Sequence, residues 1–199
     1  LVVVGRPRRP DTALKSARER VVGGLFDRVS RMVLVAVGCP PRAYRRPLVA
    51  VDLSEGAHRA VQRALLLAPG ATRLTVVHSF DASYELVLHF SGARASQEVA
   101  YLRAAEVRAR EALHAWTAPY RETGLQVDEV VLPGEPAETL LAAATEYDSD
   151  LIVLRRHSRA GLGRVVRPHV ARQVVRDSRC DVLVLEPEPE PEPVGASRQ

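Results

Sequence analysis

The sequence predicts an α/β protein with a doubly wound parallel sheet of five strands, and three observations carry that reading. Short apolar runs of strand length recur along the chain, bounded by Gly, Pro, Asp or Ser. Amphipathic stretches of helical period separate them. The stretch from Ser149 to Leu185 holds one full cycle: apolar Leu151–Leu154, an arginine-rich loop, a short helical segment, then apolar Val182–Leu185. Strands that alternate with helices pair in parallel through right-handed crossovers.

The elements follow in order. Leu48–Asp52 is the first strand of the main unit, and Ser54 is placed to cap a helix through about Ala68, with Ala60, Val61, Ala64, Leu65 and Ala68 on one face. Pro69 and Gly70 stop it. Leu74–Val77 is the second strand. A long helix over about 96–121 carries Val99, Leu102, Ala105, Ala109, Leu113, Trp116 and Tyr120 at spacings of three and four, a stripe suited to packing on a sheet. Gly124 ends that helix, and Val127–Leu132 is the third strand. Pro136 suits the first turn of a helix through about Tyr147. Leu151–Leu154 and Val182–Leu185 complete the five.

The first 38 residues read as a partial copy of the closing βαβ unit. Leu1–Val4 matches Leu151–Leu154, and Val33–Val37 matches Val182–Leu185, an offset of about 150 residues. Residues 1–38 are therefore expected to be the end of a preceding repeat, 39–46 a linker, 47–186 a complete domain, and 187–199 a solvated acidic Glu-Pro tail. With Leu1 opening in strand pattern, the chain reads as a fragment of a tandem protein.

Composition narrows the function. Apolar residues make up 46% of the chain and charged residues 26%, as in ordinary globular proteins. No apolar run approaches the ~20 residues that span a bilayer, which argues against a membrane role. Cys39 and Cys180, far apart, suit reduced thiols and a cytoplasmic location. The net charge of +4 conceals an uneven distribution: residues 186–199 carry −3, leaving +7 on the rest. Between Asp150 and Asp177 stand Arg155, Arg156, Arg159, Arg164, Arg167, Arg172 and Arg176 with no acid among them. Aromatic residues are absent from that interval, which argues against nucleic acid as a partner. Its arginines are either solvated surface side chains or an anion site built from forked guanidinium groups over Arg155–Arg167. No GxSxG, HExxH or metal-ligand spacing occurs, so neither a catalytic nor a metal site is expected. His58 and His114 fall on helices where exposure is expected, and His78 ends a strand near the expected site.

Residues 46–186 resemble a universal stress protein (UspA-like) domain. The resemblance rests on Leu48–Asp52 followed by Ser54, on Gly134, Pro136, Ala137 and Glu138 leading a helix, and on Asp150–Val153. It continues through Gly161–Arg164, Val170 and Ala171, and Cys180 with Val182–Val184. It implies a Rossmann-like sheet of the adenine nucleotide α-hydrolase-like group with strand order 3-2-1-4-5. Nucleotide-binding members carry G-x2-G-x9-G-[S/T] after the fourth strand, whose glycines bring backbone N–H groups to the phosphates. Here those positions are Arg155, Ser158, Pro168 and His169, and all four depart from the pattern. In the partial repeat, Gly5 keeps the first glycine and Arg8 takes the second position.

Asp52 matches the acid that the family places beside base and ribose; its plainer role is to support the following helix N-terminus. The residues that would line a degenerate nucleotide loop are Asp52, Arg155, Ser158, Arg159, Gly161 and His169. The expectation is a non-enzymatic stress-response binding or scaffolding module with no cofactor. The alternative is an ATP-binding, weakly hydrolysing member that contacts phosphate through arginines. The resemblance also implies self-association through the last strand, Val182–Leu185, paired with Val33–Val37 or with a second chain in a dimer.

Overall fold

The computed structural model describes residues 1–6, 24, 32–37, 43–80, 95–156 and 168–186. Along the chain run strands β1 (Val2–Arg6), β2 (Val33–Val37) and β3 (Pro47–Ala50), helix α1 (His58–Leu67), strand β4 (Arg73–Phe80), helix α2 (Ala95–Arg121) and strand β5 (Gln126–Pro133). Helix α3 (Pro136–Glu146), strand β6 (Leu151–Arg155), helix α4 (Pro168–Asp177) and strand β7 (Asp181–Leu185) follow.

All the strands join one sheet in the order β1-β2-β7-β6-β3-β4-β5. Among the described residues seven strands stand where five were expected. Numbered alone, the five from Pro47 onward keep the order 3-2-1-4-5, and β1 and β2 extend the sheet beyond β7. Every pairing is parallel except β2 with β7, where Val33 faces Val184, Leu34 faces Leu183 and Val35 faces Val182. The extension follows from sequence: β7 is apolar along its length and would otherwise leave an open edge.

Both faces of the central strands are covered, which is why these strands read as unbroken apolar runs instead of alternating ones. Leu151, Ile152, Val153 and Leu154 are all fully buried. One face packs Val49, Leu74, Val76, Leu151 and Val153 with Ala60, Val61 and Ala64 of α1 and Leu113 of α2. The other packs Leu48, Ile152, Leu154, Val182 and Val184 with Leu140 and Ala143 of α3 and Val170, Ala171 and Val174 of α4.

Local signals set the boundaries. Gly124 takes φ +82° just after α2, a left-handed conformation that costs glycine little. Pro136 occupies the start of α3, where its missing N–H is no loss. Two expectations need correction. Ser54 caps no helix with its side chain: a 3-10 turn, Glu55–Ala57, intervenes before α1, and the hydroxyl turns to Asp52 instead. Along α2 the stripe reaches the core at Leu113 and leaves Val99 exposed, because the helix is longer than the strands beneath it.

The segment before β3 is tied down by acids. Asp150 accepts the backbone N–H groups of Arg45 and Arg46 at 2.7 and 3.0 Å. Asp181 accepts Val37 N–H and Tyr44 Oη–H, each at 2.6 Å, joining β2, this segment and β7. Burial, then the Asp181 hydrogen bond, push the Tyr44 phenol well above its ordinary range. The acidic tail predicted at 187–199 lies outside the described residues.

Candidate functional site

The parallel register of β3 with β6 sets Pro47 opposite Leu151, Leu48 opposite Ile152 and Val49 opposite Val153. The carboxyl ends of the two strands therefore emerge side by side, the position where open α/β sheets place ligands. Asp52 leaves β3 there and Arg155 ends β6, although 103 residues separate them.

These two side chains bind each other. Arg155 Nη2 lies 3.0 Å from Asp52 Oδ2 and donates to Ser54 Oγ at 3.0 Å. Ser54 Oγ–H in turn donates to Asp52 Oδ1 at 2.6 Å, and Ser54 N–H to the same oxygen at 3.1 Å. Only 11% of the Arg155 side chain and 9% of the Asp52 side chain remain exposed. A carboxylate so deeply desolvated needs a cation or several donors, and here it has both from its own chain. Leu53, at the centre of this turn, takes φ +60°, a left-handed conformation that costs a branched residue. The hydrogen bonds around Asp52 and Ser54 hold it there.

An aromatic wall stands behind Ser54. Trp116 Nε1–H donates to Ser54 O at 3.4 Å, and His58 stacks on Trp116 with ring centroids 4.1 Å apart and planes at 8°. His58 Nδ1 and Tyr120 Oη are 2.5 Å apart. Burial, with Glu55 nearby, raises the Tyr120 phenol above its ordinary value. His78 Nδ1 sits 3.0 Å from Val51 O, and since a carbonyl only accepts, that nitrogen carries the proton.

Asp52 and Arg155 are thus brought together as ion-pair partners. Ser158, Arg159 and Gly161 lie outside the described residues, and His169 falls in the first turn of α4. His58 is half-buried, a correction to the exposure expected for it, because α2 brings Trp116 over its ring; His114 is exposed. The sequence reading missed the direct role of Ser54 and the His58–Trp116–Tyr120 stack. The i, i+4 spacing of Trp116 and Tyr120 was the available signal, since it sets both on one face of α2. Among the described residues no cluster of His, Cys, Asp or Glu could hold a metal ion. No described helix is long and apolar enough to cross a membrane.

Comparison with known proteins agrees with this architecture. The universal stress protein family matches residues 43–186. A universal stress protein of Synechocystis is 30% identical over 151 residues, covering 72% of this chain and 98% of that protein. One from Thermus aquaticus is 35% identical over 147 residues, covering 71% of this chain and 98% of its own length. The crystal structure of a universal stress protein from Archaeoglobus fulgidus shares the fold at a TM-score of 0.57 and 18% identity, covering 93% of this chain and 60% of that one. With the sheet, its two helical layers and these relatives in agreement, the chain belongs to the universal stress protein family.

Proposed function

We propose that this universal stress protein works as a non-catalytic binding or scaffolding module whose ancestral nucleotide site is filled by its own Arg155. The observation that carries this reading is the buried contact of Arg155 with Asp52 and Ser54. Where a nucleotide-binding relative would present bare main chain, this chain presents a guanidinium that already satisfies the acid and hydroxyl at the end of β3. A ligand entering there must break a desolvated ion pair before gaining any contact of its own. Arg155, Ser158, Pro168 and His169, in place of the glycines and hydroxyl of the loop, support the same reading. In the remainder of the proposal, residues 1–38 close a preceding repeat whose β2 meets β7, and the module acts in the cytoplasm as part of a stress response.

Titration calorimetry of the chain with ATP and Mg²⁺ tests the reading. The expected result is no heat of binding up to millimolar nucleotide. Micromolar binding would favour the rival, an ATP-binding and weakly hydrolysing protein in which the Arg155–Arg167 loop grips phosphate. That rival further requires the affinity to fall when Arg159 or Arg164 is changed to Ala.

A further inference from the structure

The aromatic wall beside the Asp52–Arg155 pair contains a titratable ring with no part in excluding a ligand. His58 opens α1, while Trp116 and Tyr120 lie about one turn apart on α2. The His58 ring lies 4.1 Å from Trp116 with planes at 8°, and 5.7 Å from Tyr120 in a tilted contact. His58 Nδ1 and Tyr120 Oη are within one hydrogen bond of each other at 2.5 Å. Burial, then Glu55, raise the Tyr120 phenol, so its oxygen keeps its own proton. With His58 neutral, either group can donate in this contact. With His58 protonated both ring nitrogens carry hydrogen, so Nδ1–H donates and Oη accepts.

Surrounding groups favour that charged form in the stack. The face of Trp116 attracts a cation lying over it, and Tyr120 Oη turns a lone pair toward Nδ1. The Glu55 carboxylate of the 3-10 turn is near enough to act on Tyr120. Opposed are Arg59, next along α1 and exposed, and the positive end of the α1 dipole. Asp52 has its charge answered by Arg155. The closest contacts are the indole face and the phenol oxygen, and both are attractive.

Trp116 carries the stack to the site. Its Nε1–H donates to Ser54 O at 3.4 Å, an oxygen that also accepts Ala57 N–H at 3.0 Å. The hydroxyl of the same serine joins Asp52 Oδ1 to Arg155 Nη2. Between Asp52 and Ser54, Leu53 is held at φ +60°, a conformation that lasts only while its surroundings enforce it.

We infer that His58 is a proton-operated prop for the Asp52–Ser54 turn: a proton on its ring tightens the stack on Trp116 and holds the Asp52–Arg155 pair closed, and loss of that proton slackens both. Histidine suits such a device because imidazole ordinarily changes charge between about pH 5 and 8. Coupling of this kind is reciprocal, so opening the pair must weaken the hold on the proton. The inference concerns the turn and not a ligand, so ATP binding by the chain would leave its test unchanged.

Trp116 is the sole tryptophan of the chain, and its fluorescence reports on the stack. An imidazolium lying on an excited indole accepts an electron from it, so emission should fall about twofold from pH 8 to pH 5. His58→Gln should remove that fall. Ser54→Ala cuts the link to Asp52 and Arg155 without changing any charge, and should lower the midpoint by about 0.3 pH unit, a twofold loss of proton affinity. Arg155→Gln should also lower it, although loss of a cation would by its field alone raise it. Circular dichroism checks that each variant is folded, and either of the last two decides the question if the other is not. A fall in emission that survives in His58→Gln, or a midpoint unmoved in Ser54→Ala, would overturn the assignment. A midpoint that rises in Arg155→Gln would overturn it too, by reducing the effect to the field of one charge.

Discussion

β1 and β6 have almost the same text and opposite fates. Leu1–Val4 and Leu151–Leu154 are both runs of four branched aliphatic residues. In β6 all four are fully buried between β3, β7 and two helical layers; in β1, Val3 is exposed, and a Cβ added at Gly5 would meet no described atom within 4 Å, where the counterpart Arg155 reaches Asp52. Hydrophobic pattern names a strand but not its neighbours. Burial of a strand is a property of both its edges and both its faces, and these are supplied from elsewhere in the chain.

The largest effect that would test this contrast concerns the residue that ends each strand. Arg155→Ala removes the guanidinium 3.0 Å from the buried Asp52 carboxylate and should cost about 3–5 kcal/mol in urea unfolding, whereas Gly5→Ala, in open space, should change stability by less than about 0.5 kcal/mol. Equal costs would mean that the Asp52 pocket is wetter than the ion pair implies. Within the strands, Leu154→Ala should cost about 2–5 kcal/mol through the cavity it leaves, and Val3→Ala under about 0.5 kcal/mol. A large loss at Val3 would show its face covered in solution.

A smaller effect is expected at the sheet's other end. There β5 lies beneath α2, and Glu129 receives hydrogen bonds from Thr117 and Arg121 and contacts His114. Burial by itself would raise the Glu129 carboxyl, but the bonds from Thr117 and His114 and the charges of His114 and Arg121 outweigh it and hold it below its usual 4.5. A depressed carboxylate adds stability above its unfolded pKa that is lost as pH falls through the folded one. Glu129→Gln should therefore destabilise the protein by about 1.5–3 kcal/mol at pH 7, with the difference shrinking below pH 4.5 in acid unfolding curves. A difference that persists undiminished at pH 2 would assign the loss to packing. The smallest effect is chemical. Burial raises the Cys180 thiol above its ordinary value, outweighing the bond to Ser178, so in a Cys39→Ser background it should react with iodoacetamide more slowly than a free cysteine at pH 8.

Legibility in the sequence tracked locality. Pro136 and Gly124 marked a helix start and a helix end because each acts through its own backbone angles. The five apolar runs of the main domain were visible because strands buried on both faces need no alternation. Ser54 was misread because a hydroxyl that can cap a helix can equally bond Asp52 two residues back, and nothing local decides between them. The partners of His58 lie 58 and 62 residues away on α2, beyond any local pattern.

By itself, the amino-acid sequence determined the alternation of strands and helices, the parallel class of the sheet and the family, since these follow from residue-by-residue periodicity and from motifs read in order. Tertiary structure alone decided that Arg155 meets Asp52, that β7 takes β2 as its neighbour, and that one apolar strand is interior while its counterpart is edge. The physical reason is register. A shift of β6 by one residue against β3 would turn every side chain to the opposite face and move Arg155 away from Asp52, and that alignment is set by the packing of both layers together.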